Sequence, residues 1–115
     1  MKMVHKKRVV DVKVKKLSYI GKIVGLMFKS RRTENLLFEF KTRFISIHSF
    51  FVFFPFLAIW LDDKNIVREV RIVYPFTLEV KPEKFYPKLV EIPFNKGNEE
   101  IIRFFVGKEK DLNRI

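Results

Sequence analysis

From Phe44 to Leu61 the chain runs eighteen residues without an Asp, Glu, Lys or Arg, and its most apolar part reads SFFVFFPFLAIW from Ser49 to Trp60. A helix that crosses a bilayer needs about 20 apolar residues, so the stretch meets only the lower limit of length. Pro55 stands near its middle, where it would remove a helix hydrogen bond and clash with the preceding turn. Phe, Val and Ile dominate with a single Ala, while Ser46, His48 and Ser49 add polar load. Aromatic and β-branched residues of this kind favour strands. The stretch therefore reads as two strands meeting at Pro55, and no transmembrane span is expected. In the first, Ile45 and Ile47 alternate with Ser46 and His48, and from Phe50 onward both faces are apolar, as in a strand covered on both sides. FLAIWL continues as the next strand, with the proline serving as the corner between two sheets.

The flanking sequence supplies a core for that stretch to join. RVVDVKVKK alternates Val10, Val12 and Val14 against Asp11, Lys13 and Lys15, a half-buried strand pattern. Ser18 can cap a short helix with Ile20, Ile23, Val24 and Met27 on one stripe, although Gly21 and Gly25 weaken it. NLLFEFK points Leu36, Phe38 and Phe40 one way. NIVREVRIVY is a long strand joined to the preceding one through the turn formers LDDKN. Pro75, Pro82, Pro87 and Pro93 then punctuate the chain, so the segments between them, KLVEIPF included, read as short or edge strands. NKGN is a turn, Asn98 can cap the short helix EEIIRFF, and Gly107 ends it. The fold class is mainly β: a compact, jelly-roll-like sandwich or barrel with one or two short helices, as a single domain over residues 1–115.

Charge is unevenly placed. Residues 1–32 hold eleven Lys or Arg and one acid, Asp11, for +10 of a formal net charge of +11. Cysteine is absent, which excludes disulfides, thiol catalysis and Cys-ligated metal centres. Gln is absent too, and Lys, Arg and Glu together number 33, the compositional trend of thermophilic proteins. The basic start is not followed by an apolar run and a cleavage site, so the chain reads as cytoplasmic.

Several segments in order resemble a known family. GLMFK at 25–29, LLF at 36–38, FFPFLAIWLDD at 53–63 and KLVEIPFNKG at 88–97 are similar to the motifs of the small uncharacterised family catalogued as domain of unknown function 192. The resemblance implies a compact, largely β, jelly-roll-like domain and supplies no reaction. Where many members carry Trp-Met and Asn-Thr before the proline and Asp after it, this chain has His48, Ser49, Phe51, Val52 and Leu57. Glu91 and Gly97 match.

Catalytic chemistry finds little footing. His5 and His48 are far apart without the HExxH spacing of a two-histidine metal site, and neither a phosphate loop nor a GxSxG elbow is present. Asp62 and Asp63 belong to a turn, since adjacent side chains point apart. No metal and no cofactor is expected, and the chain reads as a binding protein. The first functional expectation is a domain for a small ligand or a protein partner, with His48, Glu91 and Arg43 as polar residues around a phenylalanine-lined pocket; fourteen Phe are present. The alternative is nucleic-acid binding through residues 2–32, in which Lys6, Lys7, Arg8, Lys13, Lys15, Lys16, Arg31 and Arg32 meet phosphates and Tyr19 stacks a base.

Overall fold

The computed structural model describes residues 1–17, 30, 32–40, 52–77 and 80–107. Alternation sets its framework. Strands β3 (Lys15–Lys16), β4 (Leu36–Glu39), β5 (Phe56–Leu61), β6 (Val67–Val73) and β7 (Lys88–Pro93) form one sheet in the order β3-β4-β7-β5-β6. Only the short β3–β4 pair is parallel; the other three pairs are antiparallel. A second sheet is the antiparallel hairpin of β1 (Lys2–His5) and β2 (Arg8–Asp11). The class is thus mainly β, as expected, while these two sheets do not establish a jelly-roll winding.

Side chains at every second position divide the core in two. Leu36 and Phe38 of β4, Leu89 of β7, Phe56, Ala58 and Trp60 of β5 and Val73 of β6 share one face with Val52 and Phe54. Leu57, Ile59, Leu61, Val90, Ile92 and Phe94 occupy the opposite face, covered by Met3 and Val12 and by Ile102 of a helix. Every residue of β5 is buried, which explains why FLAIWL carries no polar alternation.

The β5–β6 connection is built by Asp62. Its Oδ1 accepts from the amides of Lys64 and Ile66 at 2.9 and 3.0 Å, and its Oδ2 accepts from Arg68 Nε at 2.9 Å. Burial opposes ionisation here, but the Ile66 amide, the Arg68 guanidinium and the Lys64 amide together hold the carboxyl below its ordinary pKa. Asn65 takes the left-handed conformation, φ 63°, that Asn tolerates. The register slips beside Trp60 and Leu61, the mark of a β-bulge. The hairpin of β1 and β2 docks on this corner, with Val4 N donating to Asn65 O at 2.9 Å and Val4 bridging to Ile66.

A 3-10 turn, Lys96–Asn98, leads into α1, Glu99–Val106. Ile101, Ile102, Phe105 and Val106 face the second core, the i, i+1, i+4, i+5 spacing of an amphipathic helix. Glu99 and Glu100 stand at the favourable end of the helix dipole, and Glu99 pairs with Arg103 one turn on at 2.8 Å. Gly107 ends the helix at φ 71°, its amide donating to Arg103 O. Among the described residues no helix is long and apolar enough to cross a membrane.

Four expectations change. The alternating run from Arg8 to Lys16 is not one strand: Val10, Val12 and Val14 do share one core, but the ladder breaks at 12–14 as the chain passes from the hairpin to the edge of the large sheet. KLVEIPF is a short strand, as expected, but not an edge; β7 lies between β4 and β5, because Pro87 precedes it and Pro93 closes it, leaving the interior amides free to pair. Asn98 holds the N-cap position of α1 without a side-chain cap; Asn95 caps the 3-10 turn instead, accepting from Asn98 N at 2.9 Å. Lys2 to His5, not read as a strand, forms β1. The helix expected after Ser18 and the strand expected from Phe44 through Phe51 lie outside the described residues, as does the whole family-like GLMFK segment, Gly25 to Lys29.

Candidate functional site

Glu91 stands in the middle of the central strand, facing the phenylalanine-rich core, with Leu36 beside it on β4 and Ala58 beside it on β5. It is 5 % exposed. Burial pushes its carboxyl up to about 8, so the group holds its proton at neutral pH and behaves as a buried acid rather than an anion. On the same row Ala58 is followed by Arg71 of β6, which reaches instead for Glu69 with Nε 2.7 Å from Oε2; that contact is an ion pair without hydrogen-bond alignment. Glu91 was expected at a polar rim. The fold places it inside the sheet's covered face. Its two expected companions, His48 and Arg43, lie outside the described residues.

A solvent-open cleft of about 380 Å³ forms elsewhere, at the end of the sheet where β4 begins and β7 hands over to α1. Its floor is a pair of buried amides, Asn35 and Asn98, 8 % and 7 % exposed. Asn98 Nδ2 donates to Asn35 Oδ1 and to Pro93 O, both at 2.9 Å, and Asn35 Nδ2 donates to Lys13 O at 3.0 Å. Each amide nitrogen has two hydrogens and each amide oxygen two acceptor positions. Among the described residues nothing donates to Asn98 Oδ1, and one Asn35 Nδ2 hydrogen is unused. The pair thus keeps an acceptor and a donor for a guest in the cleft that both residues line. Lys13, Arg32 and Glu34 line the cleft as exposed charges. Gly97 keeps its side open: an added Cβ would meet only Asn95 Oδ1, at 3.4 Å. This site was not foreseen, since Asn35 read as a strand start and Asn98 as a cap. The Asn-Lys-Gly-Asn run was the available signal, but a turn and a site floor look alike in sequence.

The basic residues of the N-terminal third fall into separate groups. Lys6 and Lys7 make the turn of the β1–β2 hairpin and Arg8 opens β2, and the hairpin docks on the β6 side of the large sheet. Lys15 and Lys16 lie on β3 at the opposite edge, four strand spacings or about 19 Å from β6. Lys16 is paired with Glu39 at 2.7 Å. Lys13 and Arg32 belong to the cleft. Tyr19 and Arg31 lie outside the described residues. His5 packs against Phe104 and Phe105, with ring centroids at 5.9 and 5.0 Å. Among the described residues no group of three or more acidic or histidine side chains is placed to hold a metal ion.

No protein-family model matches the chain, and no curated protein matches it. Two solved structures share its fold. A candidate transcription regulator from Sinorhizobium meliloti 1021 superimposes with a TM-score of 0.69 at 16 % identity, over 88 % of this chain and 82 % of its own. A protein of unknown function from Novosphingobium aromaticivorans DSM 12444 gives a TM-score of 0.61 at 13 % identity, over 81 % of this chain and 69 % of its own. At such identities the likeness concerns the fold alone.

Proposed function

We propose that this chain is a non-catalytic, single-domain β protein that binds a small ligand bearing a carboxylate or phosphate group in the cleft above Asn35 and Asn98. The observation that carries the reading is the buried amide pair, which keeps one acceptor and one donor directed to a cleft of about 380 Å³. Concave sites with a few fixed polar groups are the usual form of small-ligand pockets. Lys13 and Arg32 supply the positive charge that would favour an anionic group, and Glu34 limits how much charge the cleft accepts. We assign the chain to the family catalogued as domain of unknown function 192 on the ordered motifs; KLVEIPFNKG, the segment that carries the matching Glu91 and Gly97, also supplies β7 and the turn that floors the cleft. The transcription-regulator description of the Sinorhizobium neighbour would suit a ligand-sensing domain, but it travels with the fold only.

A thermal-shift screen of small carboxylates, phosphates and nucleotides tests the reading. A ligand present at 100 times its Kd stabilises the folded state by about 2.7 kcal/mol. At least one compound should raise the melting temperature, and the gain should vanish in the Lys13→Glu/Arg32→Glu variant, whose exposed positions leave the core intact. A screen in which no compound shifts the transition would end the proposal.

A further inference from the structure

We propose that the turn of the β1–β2 hairpin is a contact finger for the sugar-phosphate backbone of nucleic acid, with Lys6, Lys7 and Arg8 as its phosphate-neutralising residues. The two residues of the turn, Lys6 and Lys7, both have positive φ, 52° and 67°. That is the backbone of a type I′ turn, for which Asn-Gly is the favoured pair. Lysine gains nothing conformationally in either position, and backbone outliers of this kind concentrate at sites where the side chain has a task. The rest of the hairpin holds the turn rigid. Arg8 lies over the Phe104 ring at 5.0 Å and His5 packs at a tilt against Phe104 and Phe105, so α1 clamps both residues that flank the lysines. Burial, and then the charge of Lys6, holds His5 below its ordinary pKa.

Among the described residues no carboxylate pairs with Lys6, Lys7 or Arg8, and Asp11, the acid of the same hairpin, is engaged by the Met1 ammonium at 3.1 Å. A lipid surface would call for apolar side chains beside the cations, to enter the headgroup boundary. Among the exposed large apolar side chains only Val9 belongs to the hairpin. A two-stranded ribbon is also narrow enough to enter the major groove of duplex DNA, about 12 Å wide. The finger is narrower than the basic third as a whole, because Lys15 and Lys16 stand at the far edge of the sheet.

Fluorescence anisotropy with a fluorescein-labelled 20-base-pair DNA duplex and a single-stranded RNA of the same length tests this. The full chain should bind at least one of them at 50 mM salt, with affinity falling as salt rises. The Lys6→Asn/Lys7→Gly variant removes two charges and relaxes the turn. It should bind about tenfold or more weakly, with the log-log salt slope reduced by about two, while its melting temperature holds or rises. The Lys15→Gln/Lys16→Gln variant removes the same charge elsewhere and should bind nearly as the parent does. Equal losses in the two variants would reduce the effect to general attraction and overturn the proposal. So would absence of binding at 50 mM salt, or tighter binding to phosphatidylserine vesicles than to either oligonucleotide.

Discussion

Glu91 shows how far one residue can depart from its usual behaviour. Its ordinary pKa is 4.5 and burial takes it to about 8. A carboxyl whose folded pKa is raised stabilises fully below the unfolded value, and that contribution is lost as pH rises through the folded one. Between pH 4.5 and 8 the chain should therefore lose stability on the order of 5 kcal/mol from this group, at about 1.4 kcal/mol per unit. In urea unfolding measured from pH 4.5 to 8.5, Glu91→Gln should flatten that decline, so that the variant gains on the parent as pH rises. A pH-independent difference between the two would show that Glu91 does not titrate in this range. At the cleft floor, Asn98→Ala removes both donors from Asn35 Oδ1 and Pro93 O. An orphaned buried polar group costs about 1–3 kcal/mol, so the unfolding free energy from urea denaturation should fall by an amount in that range or above it.

Elements that bury alternate side chains were legible in the sequence, and those that depend on backbone conformation were not. Leu36 and Phe38, and Val70 and Ile72, announced β4 and β6 through period, and the unbroken apolar FLAIWL run announced β5. The β1–β2 hairpin gave no such notice, because a turn made of Lys6 and Lys7 lacks Asn or Gly to mark it. Non-glycine residues in the left-handed region cost about 1–2 kcal/mol each. Lys6→Asn/Lys7→Gly should accordingly raise stability by about 1–3 kcal/mol in chemical denaturation; a loss would mean that the lysines stabilise the fold through contacts of their own. The candidate site was legible only in part: Glu91 was singled out, but its burial is a matter of sheet order, which places β7 between β4 and β5. The amide pair was hidden because Asn35 and Asn98 are 63 residues apart and meet only when β7 carries α1 back past β4.

The whole molecule is organised around β5 and β7, each paired on both sides, with β3 and the hairpin at the periphery. Local openings should follow that plan. In native-state hydrogen exchange the amides of β5 and β7 should exchange only through global unfolding, whereas those of the two-residue β3 should exchange much earlier. Uniform protection across the sheet would contradict this order. The sheet also divides the interior into an aromatic face around Phe54 and Trp60 and an aliphatic face around Ile59 and Ile102. Residues separated by more than about 7–10 Å without shared partners respond to substitution independently. Phe54→Leu and Ile102→Val therefore act as separate perturbations, and their double variant should lose the sum of the two single losses to within about 0.5 kcal/mol. Sequence drift on one side of the sheet then leaves the other side's residues unconstrained, and the chain can exchange the contents of either core without renegotiating the other.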